Sequence, residues 1–350
     1  MNCSGYLRGL FASFVAGGVV LAGGATAQAQ DLAIHYPHTG VTEIVENPDF
    51  DLSDYAPEAI TVLEPRRGGS ITWNIVYLDV NNTTGVGFDD PTRGATRRQT
   101  LEDVFTYFNT ILDHSAVTID VEVSESQTDG SGALASAGTF YFLSAGFQGG
   151  LALEHITTGT DPSAGAVDMV ITVDFGYSWN DDSGSPASGE FDLASVLTHE
   201  VMHGLGFSAL TRSDGESSIR DGSNNNTDAR SFFSELMETG NGNALFDSGG
   251  VFTGNTSWLT GSDNGLVSVG ANATAELGSN PQLFTPGSFQ TGSSLSHWDT
   301  AEAGGVSVMQ PSIPPQTERR ALLPFEEQFL KDMGYSIVEV SAVDSWQIFD

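Results

Sequence analysis

The sequence predicts an α+β fold, in which a mixed β-sheet carries packed helices and is followed by a loop-rich C-terminal lobe. Segments rich in β-branched and aromatic residues alternate with a segment whose apolar residues recur at helical spacing. A second helical segment ends in glycines, and residues 211–296 consist largely of Gly, Asn, Ser, Asp and Thr. This order of elements is typical of a mixed sheet with helices packed on it.

The first 29 residues have the features of a secretory signal peptide. Arg8 precedes an apolar run, residues 10–21, that is too short to span a bilayer comfortably. Residues 27–29 read Ala-Gln-Ala, which fits a signal-cleavage site, so we expect a secreted, extracellular or periplasmic protein. The alternative is an uncleaved membrane anchor. The only cysteine, Cys3, would leave with the peptide, and the mature chain would then form no disulfide.

Residues 30–67 form a segment rich in Pro, Asp and Glu that shows little periodicity. This composition predicts a leader that packs on the surface or acts as a propeptide. Arg66 and Arg67 would offer a processing site, and an ordinary basic turn explains the pair equally. We expect the remaining residues, 68–350, to form the functional domain, with an N-terminal lobe at 68–209 and a C-terminal lobe at 210–350.

The N-terminal lobe contains four predicted strands and two predicted helices. The strands are expected at residues 70–80, 117–124, 138–144 and 167–179, which are rich in β-branched and aromatic residues. The first helix is expected over 96–115, because apolar residues recur there at helical spacing: Leu101, Val104, Phe105, Phe108, Ile111 and Leu112.

The second helix is expected to begin near Ser188 or Gly189 and to run to the glycines at 204 and 206. Glu190 and Asp192 suit its first turn, where the helix dipole favours negative charge. Glycine suits the end of a helix, where the chain turns sharply. In the C-terminal lobe, residues 228–240 and 322–335 predict two more helices, the last of them ended by Gly334.

The second helix carries the motif H-E-x-x-H, formed by His199, Glu200 and His203. Histidines four residues apart lie on one face of a helix, with Cβ atoms roughly 5–6 Å apart. Two imidazoles so placed can bind one tetrahedral ion at about 2.0–2.1 Å each. The glutamate lies beside the ion rather than on it, where it can accept a proton from a metal-activated water.

A catalytic metal of this kind usually has three protein ligands and one open position. In the extended form of the motif, the third histidine stands six residues after the second, but here that position is Ala209. His297 is the one histidine downstream of the helix, so it is the candidate third ligand. The alternative is a carboxylate from the predicted helix at 228–240, Glu235 or Glu238.

Three islands of sequence resemble one family. The stretch HEVMHGLGF, a long insertion, then SHWD and VMQP, is similar to the leishmanolysin branch of the metzincin zinc peptidases and its secreted bacterial relatives. The resemblance implies a zincin-like, metzincin-like fold, with Zn²⁺ bound by His199, His203 and His297. It also implies that Glu200 is the general base, that Gly206 turns the chain away, and that Met309 forms the Met-turn.

The chain departs from this family in two respects. It would form no disulfides after signal cleavage, whereas eukaryotic leishmanolysins are rich in them. Pro311 occupies the position, two residues after the methionine, where some metzincins have a tyrosine. No side chain is therefore assigned to oxyanion stabilisation, and Tyr335 is expected to belong to the core.

The sequence thus predicts a secreted zinc endopeptidase that hydrolyses peptide bonds of a protein or peptide substrate, with residues 68–350 as its metallopeptidase domain. An edge of the sheet, near 138–144 or 167–179, would align the extended substrate. The alternative is a non-catalytic secreted surface or matrix protein with a zinc-stabilised fold. Asp299 either orients a ligand imidazole or caps a turn.

The acidic composition bears on partners and on calcium. Asp and Glu number 45 against 12 Lys and Arg, which gives a formal net charge of −33 at pH 7. Such a surface repels phosphate backbones and anionic lipid, so we expect no nucleic-acid partner and no stable membrane insertion after signal cleavage. The loop at 213–231 predicts either a Ca²⁺ site or a solvated polar loop, since it offers several oxygen ligands: Asp214, Glu216, Asp221, Asn224, Asn226 and Asp228.

Overall fold

A computed structural model describes residues 32–36, 41–45, 58–60, 71–78, 85–127, 130–163 and 166–338. The predicted signal peptide, residues 1–29, and the basic pair at 66–67 lie outside these ranges. None of the described helices is long and apolar enough to cross a membrane.

A seven-stranded mixed sheet forms the centre of the fold, in the order β2-β1-β6-β8-β5-β4-β3. The neighbours β4, β5 and β8 are parallel, and the remaining neighbours are antiparallel. The strands are β1 (Leu32–Tyr36), β2 (Val41–Val45), β3 (Glu58–Ile60), β4 (Ile71–Tyr77), β5 (Val117–Ser126), β6 (Ala135–Phe142) and β8 (Met169–Asp174). The four strands predicted between residues 70 and 179 are confirmed, with shifted ends.

The segment predicted as a leader contributes three strands to this sheet, β1, β2 and β3. Strand β1 pairs with β6, and its Leu32, Ala33 and Ile34 are fully buried. Strand β1 thus lies within the sheet rather than on the surface, and a propeptide role for residues 30–67 stays a prediction. Consecutive residues of a strand point to opposite faces of the sheet. Burial of all three is therefore typical of a strand in a sheet that is covered on both faces.

Helix α1 (Gly94–Ile111) packs its apolar stripe onto the sheet. Leu101, Phe105 and Phe108 are fully buried, and the ring of Phe105 stacks on Trp73 of β4 with centroids 4.4 Å apart. The helix predicted over 96–115 is thus confirmed. A short strand β7 (Gly146–Gln148) and helix α2 (Leu151–Thr158) follow β6.

Helix α3 (Leu193–Gly204) crosses the sheet and bears the H-E-x-x-H motif. It is preceded by the paired short strands β9 (Trp179–Asn180) and β10 (Phe191–Asp192). The helix begins later than the predicted start near residues 188–189, because Asp192 is extended and caps it by accepting a hydrogen bond from Ser195 N–H. Gly204 allows close packing, since a Cβ there would lie 2.4 Å from the Met169 sulfur.

The prediction of a helix over residues 228–240 is wrong. The chain instead forms β11 (Ala229–Ser231), a single turn α4 (Phe232–Glu235) and β12 (Met237–Thr239). Strand β11 pairs with β7, and β12 pairs with β13 (Leu266–Ser268). Arg230 supplies a physical reason, because its buried guanidinium donates to the carbonyl groups of residues 210, 215 and 250, which converge on an extended strand.

The rest of the C-terminal lobe consists of short elements joined by tight turns. It contains 3₁₀ turns at Thr256–Thr260 and Glu302–Gly305, helix α5 (Ala271–Leu277) and helix α6 (Pro324–Asp332). The helix predicted over 322–335 is confirmed as α6, and Gly334 follows it with a φ of 111°. One cluster of buried apolar side chains extends from β4 to α6, so both predicted lobes share a core.

Candidate metal centre

Three buried histidines converge beside the sheet. His199 and His203 lie one turn apart on α3, with ring centroids 4.7 Å from each other. The His297 ring lies 5.2 Å from that of His199 and 5.0 Å from that of His203. One nitrogen from each ring lies within 4.8 Å of the other two, so a single ion can reach all three.

Backbone carbonyl groups hold each imidazole in one orientation. The Nδ1 atoms of His199, His203 and His297 lie 2.8, 2.6 and 2.8 Å from the carbonyl oxygens of Val308, Phe207 and Ser293, respectively. A carbonyl only accepts hydrogen bonds, so each Nδ1 must carry the proton and donate it. The lone pair is therefore on Nε2 in all three rings, which is the tautomer a metal requires.

The spacing of the Nε2 atoms fits a tetrahedral cation. The Nε2 atoms of His203 and His297 are 3.3 Å apart, although both carry lone pairs and neither can donate to the other. Metal–nitrogen bonds of 2.0–2.1 Å at a tetrahedral angle place two ligand nitrogens about 3.3–3.4 Å apart. The close approach of two acceptors is thus explained if a cation binds between them.

The protonation states suit the same role. Burial lowers the pKa of His199 to about 4 and that of His297 to about 3. Both rings are therefore neutral at pH 7, and neutral imidazole is the form that binds a metal.

The chain leaves and returns at almost the same point to deliver His297. The backbone N–H of Ala209 donates to the Ser296 hydroxyl at 3.0 Å, so the position without a histidine lies next to the residue that precedes His297. Residues 210–295 form a long excursion between these two points. The absent histidine at position 209 is thereby replaced in space by one that is remote in sequence.

Gly206 begins this excursion. Its φ of 95° lies in the region that L-residues with a side chain rarely adopt, and a Cβ there would lie 3.1 Å from the Gly149 carbonyl oxygen. The turn brings the Phe207 carbonyl back to His203, four residues earlier. The backbone therefore turns at Gly206, where the sequence predicted a turn.

Met309 lies in a buried strip next to two of the histidines. The N–H of Trp298, which follows His297, donates to the Met309 carbonyl oxygen at 2.8 Å. The neighbouring Val308 carbonyl accepts the hydrogen bond from His199. The strip at 308–309 thus contacts both His199 and the backbone beside His297, and a Met-turn role for Met309 stays a prediction.

Glu200 lies on the cleft side of α3, next to His199. It is almost fully buried, and burial raises its pKa well above the ordinary value, while a hydrogen bond from the Ala137 N–H acts in the opposite direction. A glutamate with a raised pKa accepts a proton more readily near pH 7 than an exposed one. Its environment therefore suits a general base.

A cleft of about 440 Å³ opens in front of His199 and Glu200. It is lined by residues 131–134 and the start of β6, and by the segment 310–313. Among the described residues, β1 pairs with β6 from Phe140 to Phe142, whereas the start of β6 lines the cleft. Tyr177, within the strand predicted at 167–179, also lines the cleft.

Other candidate residues from the sequence are not part of this group. Glu235 is exposed and Glu238 lies on β12, and neither joins the three histidines among the described clusters of metal-ligating side chains. Asp299 caps a turn by accepting from the Ala301 N–H at 2.9 Å. Tyr335 is buried and donates to the Leu205 carbonyl, which agrees with the expected core role.

The loop at 213–231 uses its oxygen atoms locally. Asp221 accepts hydrogen bonds from the backbone of residues 223 and 225, Asp214 accepts from Glu216 N–H, and Arg220 pairs with Glu216. These contacts are typical of tight polar turns. Neither convergent group of possible ligands found in the described ranges includes this loop.

Several groups that shape the region were not predicted from the sequence. The carbonyl groups that orient the imidazoles belong to the backbone, and nothing in residue identity marks them. A second group of possible ligands, His155, Asp161 and Asp168, lies apart from the histidine centre. There His155 Nδ1 lies 3.0 Å from a buried Asp168 carboxylate oxygen, which makes the contact a hydrogen-bonded pair.

Comparison with known proteins identifies no matching family model, curated protein or solved structure.

Proposed function

We propose that this protein is a secreted zinc endopeptidase of metzincin-like architecture. The observation that carries the proposal is that three imidazoles converge beside a buried glutamate at the edge of a cleft. Hydrogen bonds to backbone carbonyl groups fix the tautomer of each imidazole. Imidazole ligands in tetrahedral arrangement favour zinc among the common divalent ions. Three protein ligands and one open position are typical of catalytic rather than structural zinc sites.

Each residue has one task in the proposed reaction. His199, His203 and His297 would hold the ion, which supplies a Lewis acid for the scissile carbonyl and for a water molecule. Glu200 accepts a proton from the water that attacks the carbonyl carbon. It then donates that proton to the amine nitrogen as the carbon–nitrogen bond breaks.

The cleft favours an extended polypeptide as the substrate. The start of β6 lies along the cleft, and we expect an extended chain to pair with its backbone as a further strand. A net charge of −33 makes polyanionic substrates such as nucleic acids unfavourable. Substrate alignment would thus depend on backbone pairing, with pockets for individual side chains.

A non-catalytic secreted protein with a zinc-stabilised fold is the second candidate. Such a protein would need the three histidines, but it would not need Glu200, the buried glutamate that lines the cleft. The two candidates therefore differ in what Glu200 does.

Replacement of Glu200 by Gln tests the proposal. We expect the variant to keep one equivalent of zinc per chain, measured by elemental analysis, and to lose hydrolysis of casein and of a quenched peptide library. Loss of a general base alone costs about 10²–10⁴-fold in rate. Glu276→Gln, at an exposed helical position far from the cleft, is the matched control.

Two results would contradict the proposed function. One is full activity of Glu200→Gln, which would remove the general base from the mechanism. The other is a wild-type protein that binds zinc and hydrolyses none of the peptides, which would favour the non-catalytic candidate.

A further inference from the structure

A buried acid on the last helix contacts the strip that orients the ligands. Glu326 lies in the first turn of α6 and is fully buried. One carboxylate oxygen accepts from the Met309 N–H at 3.0 Å. The other accepts from the Val308 N–H at 3.2 Å and from the Leu323 N–H at 2.9 Å.

The two residues whose N–H groups bind Glu326 also face the metal centre through their carbonyl groups. The Val308 carbonyl accepts the Nδ1 hydrogen bond of His199, and the Met309 carbonyl accepts from the Trp298 N–H, next to His297. A shift of this strip would therefore move a partner of His199 and the backbone beside His297 together. Glu326 is thus linked to His199 through one residue, Val308, and to the backbone beside His297 through Met309 and Trp298.

The same segment is tethered on its other side. Arg319 donates to the carbonyl groups of Gly305, Ser307 and Ser312, which flank the strip at 308–309. The strip is thereby held through its N–H groups by an anion and through neighbouring carbonyls by a cation. Its position is fixed by side chains and not only by chain connectivity.

A carboxylate at this position is costly unless it has a specific task. Removal of a charged carboxylate from water carries a penalty of several kcal/mol, which hydrogen bonds must offset. Glu326 also caps α6 by accepting from the Leu323 N–H, but that cap does not require the two further hydrogen bonds from Val308 and Met309. The three N–H donors point to a carboxylate retained to fix the strip.

We propose that Glu326 is a positioning residue for the metal centre. Through Val308 and Met309 it sets the orientation of His199 and the place of His297, and so raises the affinity for the ion. This inference rests on the proposed zinc site, because it assigns Glu326 a role toward that site.

Glu326→Gln removes the charge but keeps the shape. A carboxamide has one oxygen and one NH₂ group, so at least one backbone N–H would face a donor instead of an acceptor. Groups that orient metal ligands in this way typically contribute 10–100-fold to metal affinity. We expect zinc to dissociate from the variant with a dissociation constant 10–100-fold higher than in the wild type, measured by competition with a chelator.

The control is Glu327→Gln, which makes the same chemical change one residue along the helix. Zinc affinity, the visible spectrum of the cobalt-substituted protein and the melting temperature of the metal-free protein are measured for both variants. A purely structural role would lower the melting temperature of the metal-free protein and leave the affinity and spectrum of the folded fraction unchanged. A positioning role changes the cobalt spectrum and the affinity in Glu326→Gln and not in Glu327→Gln.

Equal zinc affinities and equal cobalt spectra in the two variants would overturn the inference. Should Glu326→Gln fail to fold, Glu326→Asp takes its place, since it keeps the charge and shortens the reach by one methylene. An unchanged affinity and spectrum in the Asp variant would also overturn it. Failure of the wild-type protein to bind zinc is a different result, because it would contradict the proposed function itself.

Discussion

At the scale of single residues, the candidate site depends on backbone geometry as much as on side-chain identity. Each of the three imidazoles donates to a carbonyl group, and the Phe207 carbonyl directly follows the sharp turn at Gly206. Orientation by such partners fixes the tautomer and increases ligand basicity. Under the proposed function, the backbone positions of Gly206 and of residues 308–309 therefore matter, although none of their side chains would react.

Gly206→Ala gives the residue-scale prediction. The positive φ of 95° strains any side chain, and the added Cβ would press on the Gly149 carbonyl oxygen. We expect a loss of about 1–2 kcal/mol in the free energy of unfolding, measured by chemical denaturation of the metal-free protein. Gly222→Ala, where φ is not positive and a Cβ meets no neighbour, is the control. Equal stabilities in the two variants would show that the turn tolerates a side chain.

At the scale of elements, α3 is held firmly at both ends. At its start Asp192 accepts from Ser195 N–H, from the Ser195 hydroxyl, from Asn180 and from Arg320. At its end Gly204 and Gly206 let the helix pack on β8 and then turn. A helix fixed in this way keeps its two histidines and Glu200 at set positions relative to the sheet.

The cap at Asp192 gives a prediction about pH. Burial acts to raise the pKa of this carboxyl group, but the hydrogen bonds from Arg320, Ser195 and Asn180 outweigh it, so the pKa lies below the ordinary 3.8. A group with a lowered folded-state pKa stabilises the fold fully above its unfolded-state pKa, about 3.9, and loses this effect as the pH falls through the folded-state value. The stabilisation is therefore complete at pH 7.

Asp192→Asn isolates the charge, since asparagine also caps helices well. We expect the variant to be less stable than the wild type by about 2 kcal/mol at pH 7. The difference should shrink only below about pH 3.9, the unfolded-state value. Denaturant titrations at a series of pH values measure it. A difference that stays constant down to pH 2, or that is absent at pH 7, would contradict this role.

The elements also show what sequence patterns can predict. The strands at 70–80 and 117–124 and the helix at 96–115 were predictable, because local periodicity and burial agree there. The segment 228–240 has helical periodicity, yet the hydrogen bonds that Arg230 makes to three distant carbonyls and the pairing of β11 and β12 override it. Propensity is a weak guide where such long-range contacts decide the backbone.

The site shows the same division between local and long-range information. His199, Glu200 and His203 were predictable as a unit, because four-residue spacing on a helix fixes their geometry. His297 was reachable by elimination and by the resemblance carried by SHWD, and not by local spacing. The contact of Ala209 with Ser296, which brings it close, depends on the whole excursion between them. Glu326 could not be predicted, since its partners are backbone groups about 17 residues away in the chain.

At the scale of the whole molecule, the C-terminal lobe returns the chain to the helix that carries His199 and His203. The core is continuous from β4 to α6, so the strip at 308–309 and the buried Glu326 rest on the same packing as the sheet. The long excursion of residues 210–295 begins and ends beside α3. We therefore expect the three imidazoles to come together only in the fully folded chain.

The central claim is that His199, His203 and His297 bind one zinc ion. X-ray absorption spectroscopy of the zinc-loaded protein tests this claim most directly. We predict a four-coordinate zinc with three imidazole nitrogens at about 2.0–2.1 Å and one light-atom ligand in the fourth position. His297→Ala should lose one imidazole from the spectrum and keep two. A wild-type spectrum with two imidazoles and a protein carboxylate, or a spectrum of His297→Ala identical to that of the wild type, would contradict the account.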